Sequence, residues 1–114
     1  MNIVGAIATS VLVSFIAGCA FLQRNTICID NRSQEVLASI EADFAGYVRT
    51  KDVISPGERY CFQAQAKRDG EIALKYLRNG KHIVHNLGYV APPFTVSCRI
   101  SVDVDHDNIE CTSD

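Results

Sequence analysis

The sequence predicts an all-β fold, a small antiparallel β-sandwich of about seven strands that follows an N-terminal apolar signal helix. Short stretches in which apolar and polar residues alternate recur along the chain, and turn signals separate them. Asn79-Gly80 is the strongest of these signals, because this dipeptide favours the two-residue turn of a β-hairpin. Strands at regular short spacing are typical of a sandwich or a small barrel. With 114 residues the chain has room for one small domain.

The first two predicted strands flank the polar turn NRSQ. Thr26–Asp30 is rich in β-branched residues, and Glu35–Phe44 alternates between apolar and polar positions. Helix is a weaker alternative over Ser33–Phe44. Because side chains alternate faces along a strand, the second segment is expected to present one apolar face. That face comprises Val36, Ala38, Ile40, Ala42 and Phe44.

The three predicted strands that follow end at turns containing glycine. The turns are SPGE, the Asp-Gly of KRDGE and the Asn-Gly already described. Helix competes weakly with strand over Ile72–Leu77. The three strands are Tyr47–Ile54, Arg59–Ala66 and Glu71–Arg78.

The last part of the chain predicts two long strands and a short one. His82–Val90 precedes the sequence APP, Phe94–Val104 runs into the turn DHDN, and a short final strand is expected within IECT. Alternation in the longer segment places six side chains on the core face. They are Phe94, Val96, Cys98, Ile100, Val102 and Val104.

Five cysteines are a high number for this length. If Cys19 is set apart, the even number that remains is typical of disulfides in a short exported domain. In their strands Cys28 and Cys61 lie opposite the apolar face, whereas Cys98 and Cys111 lie on it. Three pairings of the four cysteines are possible. Pairing cysteines that lie on the same face favours the disulfides Cys28–Cys61 and Cys98–Cys111.

An uncharged apolar run precedes Cys19. It spans residues 3–18, ends in small residues and is followed by the first charge at Arg24. Ile16-Ala17-Gly18-Cys19 resembles the lipobox of bacterial lipoproteins. The resemblance implies cleavage before Cys19, a diacylglycerol on its thiol and an acyl group such as palmitate on the new amine. A retained single-pass helix in the inner membrane is the alternative, but Arg24 would then hold the cysteines in the cytoplasm, where disulfides are rare.

The lipobox also implies a domain organisation and a location. Residues 1–18 would be the signal peptide, 19–25 a lipidated tether and 26–114 the β-sandwich domain. Ala20 follows the cysteine where inner-membrane retention would require Asp, which implies the outer membrane. The protein is therefore expected to face the periplasm and to contact the membrane through its lipid anchor.

Two stretches of the mature chain, ICIDNRSQEVLASI and VISPGERYCF, resemble the first half of many small immunoglobulin-like domains of exported bacterial proteins. In those domains a strand, an Asn-containing turn, a second strand and a Pro-Gly turn recur. The resemblance implies a sandwich rather than a barrel.

No metal site is expected, although three aspartates are weak candidates and a pair of histidines has to be considered. Asp103, Asp105 and Asp107 have the spacing of the first three ligands of an EF-hand loop, but the required glycine and flanking helices are missing. A solvated turn is the favoured interpretation. His82 and His85 are three residues apart, which on a strand places them on opposite faces, with His85 aligned with Ile83, Leu87 and Tyr89. One half-buried and one exposed histidine are expected.

The Leu87–Phe94 loop is the candidate contact surface. Two prolines stiffen an apolar, aromatic segment between strands. The simpler interpretation is that Tyr89 and Phe94 close one end of the sandwich, and the functional one is a preorganised surface for a protein partner. The candidate partner-binding residues are Tyr89, Val90, Pro92, Pro93 and Phe94.

Catalysis is not expected, because the known nucleophile, zinc-protease and phosphate-loop motifs are missing from the sequence. No cofactor or small-molecule substrate is expected either. Nucleic-acid binding is not expected because the net charge is −2 and charges of both signs are interspersed along the chain. The sequence thus predicts a non-catalytic lipoprotein that serves as a protein-interaction or structural module of the cell envelope. The alternatives are an inhibitor, immunity or exclusion factor that binds an enzyme, toxin or phage component through Leu87–Phe94, and a calcium binder at Asp103–Asp107.

Overall fold

A computed structural model describes residues 24–113, in which every strand belongs to one of two four-stranded sheets. The predicted signal helix, Cys19 and most of the tether lie outside the described residues. In the described part of the chain no helix is long and apolar enough to cross a membrane. The eight strands are β1 (Asn25–Asn31), β2 (Leu37–Phe44), β3 (Tyr47–Ile54), β4 (Arg59–Ala64), β5 (Gly70–Arg78), β6 (Lys81–Val90), β7 (Val96–Val102) and β8 (Asp107–Ser113).

The strand order is β4-β1-β7-β8 in one sheet and β3-β2-β5-β6 in the other. All neighbours are antiparallel except β1 and β7, which pair in parallel with Thr26 opposite Ser97. The all-β prediction is confirmed, with a full-length eighth strand where only a short one was expected. The prediction of purely antiparallel pairing is wrong at β1 and β7, since a parallel pair links strands far apart in sequence.

A single hydrophobic core is formed by the buried faces of the two sheets. Ile27 and Ile29 of β1 and Ile100 of β7 face Ile40 of β2 and Leu74 of β5, and each is fully buried. Burial alternates along β1 and along β7, as the sequence predicts. Inward apolar residues on both sheets are what a sandwich requires.

A bulge in β2 changes which residues of that strand are buried. The register with β5 shifts between Ala38 and Glu41, and Ser39 has a φ of 49°. The extra residue reverses the faces N-terminal to it, so that Leu37 is fully buried while Val36 is 51% exposed. The expectation that Val36 and Ala38 belong to the core face is therefore wrong.

A second bulge has the same effect in β6. The register with β5 shifts between Ile72 and Ala73, and Gly88 has a φ of 125°, which favours glycine. Beyond the bulge Val90 is 1% exposed and Tyr89 is 62% exposed. The prediction that Tyr89 shares the inward face of His85 is wrong because the bulge inserts one residue between them.

The last long strand is shorter at both ends than predicted. β7 covers only residues 96–102, so that Phe94 and Val104 lie in the flanking connections. They are 63% and 65% exposed, respectively, and do not belong to the core face. Sequence alternation alone does not show where ladder pairing stops, which explains this error.

The strands run alternately, which gives the sandwich two distinct ends. β1, β3, β5 and β7 begin at one end, which we call the tether end because the chain enters the domain there. The opposite end, where these strands finish, is called the distal end. At the distal end the buried side chain of Asn31 donates to the carbonyl oxygens of Glu35 (2.8 Å) and Ile54 (3.1 Å) and accepts from the Ser33 hydroxyl (2.6 Å).

Candidate functional site

Two disulfides join neighbouring strands of one sheet. Cys28 of β1 is bonded to Cys61 of β4, and Cys98 of β7 is bonded to Cys111 of β8. In both cases the two residues lie directly opposite one another in the ladder. The predicted pairing is confirmed. Cys111 differs from the expectation of a core position, since it is exposed on the edge strand β8 although Cys98 is buried.

The predicted contact segment Leu87–Phe94 lies at the tether end, where β6 passes to β7. Tyr89 and Phe94 expose 62% and 63% of their surface, and they do not close the end of the sandwich. Pro92 and Pro93 are also exposed. Val90 is a correction to the predicted partner-binding set, because its side chain packs in the core.

The connection between β6 and β7 is held in place by backbone and side-chain hydrogen bonds. The Phe94 amide donates to the Ala91 carbonyl at 3.0 Å, which closes a turn around the two prolines. The buried Asn25 accepts from the Val96 amide at 2.8 Å and donates to the Ala64 carbonyl. Asn25, the first residue of β1, thus holds the start of β7 in place. Phe94 therefore lies close to the point at which the chain enters the domain.

A basic and aromatic depression lies at the same end, between β3 and the β4–β5 connection. Arg24, Tyr47, Arg49 and Lys67 line it together with Ala64 and Gln65. The Arg49 guanidinium carbon lies 5.1 Å from the centre of the Tyr47 ring, a cation–π distance. The tether end therefore combines exposed aromatic side chains with cationic ones. It also carries the exposed carboxylates Asp69 and Glu71.

A polar cluster links the two sheets near the distal end, at the edge between β6 and β8. It consists of Tyr76 and Arg78 of β5, His85 of β6 and Asp107 of β8, and we call it the inter-sheet cluster. His85 Nε2 lies 2.6 Å from an Asp107 carboxylate oxygen, to which the Tyr76 hydroxyl also donates. The other Asp107 oxygen lies 3.7 Å from the Arg78 guanidinium, which donates to the Val104 carbonyl as well (2.9 Å).

The electrostatics of the inter-sheet cluster indicate that its side chains stabilise the fold rather than act as nucleophiles. Burial, with added contributions from the hydrogen bond and charge of Asp107, raises the pKa of Tyr76 well above its ordinary range. The phenol is therefore held protonated as a donor, which is the opposite of an activated nucleophile. In residues 24–113 no buried side-chain nitrogen or oxygen lacks a hydrogen-bond partner.

Sequence reasoning missed the inter-sheet cluster, although one signal pointed to it. Tyr76 continues the inward face of Ile72 and Leu74, and His85 continues that of Ile83. When a side chain that faces the core ends in a polar group, that group requires a hydrogen-bond partner, which the facing sheet can supply. That partner is Asp107, which the sequence pattern places in a solvated turn instead.

We expect the stability of the fold to fall as pH rises above about 10, the ordinary pKa of tyrosine. Above this pH the unfolded chain releases the Tyr76 proton whereas the folded chain retains it, so rising pH stabilises the unfolded state relative to the folded one. The stability contributed by protonated Tyr76 is present below pH 10 and is lost at higher pH. Urea denaturation in mildly and strongly alkaline buffer should show a steeper loss for the wild type than for Tyr76→Phe. Equal losses in the two proteins would contradict the assignment.

The three aspartates singled out as weak calcium candidates are not brought together. Asp107 belongs to the inter-sheet cluster, Asp105 is exposed, and Asp103 lines a surface depression with Arg32 and Arg99. Among the described residues no group of three or more His, Cys, Asp or Glu side chains is arranged to hold a metal ion. The histidine prediction is confirmed, with His82 exposed and His85 partly buried.

Comparison with known proteins shows the fold alone. No family model matches the chain, and no curated protein matches it. A solved structure, described as the NMR structure of the protein from Eubacterium rectale, is similar with a TM-score of 0.54 and 12% sequence identity. The match covers 79% of this chain and 87% of that one. At this identity the similarity extends to the arrangement of strands and carries no function with it.

Proposed function

We propose that this chain is a non-catalytic lipoprotein of the bacterial outer membrane, anchored through Cys19, facing the periplasm and acting as a protein-interaction or structural module of the cell envelope. The observation that carries the proposal is the pairing of all four cysteines that follow Cys19. Disulfides form and persist in oxidising compartments, which agrees with export. Cys19 is then the one cysteine left for the thioether to lipid that the lipobox implies.

The absence of catalysis in this proposal is supported by the chemistry of the inter-sheet cluster. Its Tyr76, His85 and Asp107 side chains bind one another between the sheets, and the Tyr76 phenol keeps its proton. A binding function would instead depend on exposed residues at the surface of the domain. Loops at the end of a rigid sandwich are common sites for such contacts.

The term immunoglobulin-like belongs to the proposal as well. Two packed four-stranded sheets agree with it in architecture. The order β4-β1-β7-β8 and β3-β2-β5-β6 differs from the strand order of constant-type immunoglobulin domains. The likeness is therefore proposed at the level of two packed sheets rather than of topology.

Mass spectrometry of the intact protein purified from bacterial membranes tests the anchor and the disulfides together. The expected mass is that of a chain beginning at Cys19, with diacylglycerol and an N-acyl group added and four hydrogens lost to two disulfides. Cys19→Ala is the matched control, and it should remain uncleaved and unlipidated. An intact Met1 together with four free thiols would refute the proposal.

A second candidate function is that of an inhibitor, immunity or exclusion factor. It is favoured by the exposed, hydrogen-bonded turn that presents Phe94 beside two prolines, since preorganised loops lose little entropy on binding. Crosslinking in cells separates the two candidates. A toxin, lysozyme or phage component captured by the wild type and lost in Phe94→Ala supports inhibition, whereas an envelope protein that both variants capture supports the structural module.

A further inference from the structure

We propose that the tether end of the sandwich rests on the lipid bilayer, with Tyr89 and Phe94 in the headgroup layer. This inference rests on the proposed lipid anchor at Cys19 and names what the exposed aromatic end contacts. It assigns these two side chains to lipid and leaves the distal end and the sheet faces for a protein partner.

The first argument is the length of chain between the anchor and the fold. β1 begins at Asn25, six residues after Cys19. A chain extends by at most about 3.6 Å per residue, so the Cα atom of Asn25 lies within about 22 Å of the Cα atom of Cys19. The tether end reaches the bilayer whenever the tether is less than fully extended along the membrane normal. The distal end lies about 20 Å farther away along β7 and reaches lipid only if the tether extends fully beside the domain.

The second argument is what the tether end exposes. Tyr89 and Phe94 are among the most exposed large apolar side chains of the described chain, and the neighbouring Pro92 and Pro93 are exposed too. Tyrosine is enriched at membrane–water interfaces, where its ring lies at headgroup level. Apolar side chains that enter this layer contribute to binding in proportion to the area they remove from water.

The third argument is the presence of cationic groups at the same end of the sandwich. Arg49 and Lys67 line the depression beside Tyr47 at the same end and are exposed. Long basic side chains lie along an interface with their charged groups among lipid phosphates. The carboxylates Asp69 and Glu71 also lie at this end, so the contact depends chiefly on the aromatic side chains and the tether.

Fluorescence provides the test, because the chain contains no tryptophan. Phe94 lies two residues before β7 and Val104 two residues after it, with exposures of 63% and 65%. They form a matched pair for single-tryptophan probes at the two ends. The full lipidated protein, as Phe94→Trp or Val104→Trp, is reconstituted in vesicles of phosphatidylethanolamine and phosphatidylglycerol, with and without bromine on the acyl chains.

Bromine is expected to quench Phe94→Trp severalfold more than Val104→Trp, and the Phe94→Trp emission should move to shorter wavelength. Tyr89→Trp, a second probe at the tether end, should behave like Phe94→Trp. If neither end is quenched although mass spectrometry shows lipid on Cys19, the proposal is wrong and the tether end is left for a protein. Equal quenching at both ends would overturn the end-on orientation. Absence of lipid on Cys19 would instead remove the proposed function, and this inference with it.

Discussion

Replacing Cys28 and Cys61 together with alanine is expected to lower the free energy of unfolding by about 4 kcal/mol. The two residues are 33 positions apart, so their bond closes a long loop and restricts the unfolded chain strongly. The same change at Cys98 and Cys111, which are 13 positions apart, is expected to cost about 3 kcal/mol. Urea denaturation with linear extrapolation measures both losses.

The two disulfide variants serve as controls for each other. Their loops do not overlap in sequence, so their effects should add, and a chain lacking both bonds should lose about 7 kcal/mol. That amount is comparable with the whole stability of a small domain, and the quadruple variant should be largely unfolded at room temperature. A Cys28→Ala/Cys61→Ala protein as stable as the wild type would show that this pair is not oxidised in the folded protein.

Asp107→Ala is expected to destabilise the fold by about 3 kcal/mol, because it removes the acceptor shared by the Tyr76 hydroxyl and the His85 ring nitrogen and the negative charge beside Arg78. The Tyr76 hydroxyl, His85 Nε2 and the Arg78 guanidinium all meet this carboxylate between the sheets. The loss should appear in urea denaturation at neutral pH. Hydrogen exchange should also show earlier opening of β8 than of β1, since Asp107 is the first residue of this edge strand.

Asp105→Ala is the matched control for that experiment. Asp105 lies two residues away in the same turn and is exposed, so its removal should change the stability by less than about 0.5 kcal/mol. If the two alanine variants are equally stable, the inter-sheet cluster does not hold the sheets together.

The features that follow from local alternation could be predicted from the sequence. Parity along single strands was sufficient to pair Cys28 with Cys61 and Cys98 with Cys111, because neighbours in a ladder share a face. The same reasoning failed at Ser39 and Gly88. A bulge depends on the partner strand as well as on its own residues, and one extra residue reverses every face beyond it.

The partners within the inter-sheet cluster could not be predicted from the sequence for a different reason. Tyr76, His85 and Asp107 come from three strands and meet only when two sheets pack face to face. The exposure of Tyr89 and Phe94 could be proposed from the stiff, apolar loop but not decided, since a loop of this kind can either cover the core or leave it. In the structure Val90 packs in the core, whereas Tyr89 and Phe94 are exposed.

The parallel pairing of β1 with β7 has a consequence for the order in which the domain forms. β1 lies inside its sheet, between β4 and β7, so this sheet remains incomplete until residues 96–102 are available. Contacts between such distant segments form slowly, because the intervening chain must first be ordered. A stable domain can therefore form only after nearly the whole chain has left the ribosome or a translocation pore. The chain remains unfolded until then, which is compatible with the proposed export across a membrane.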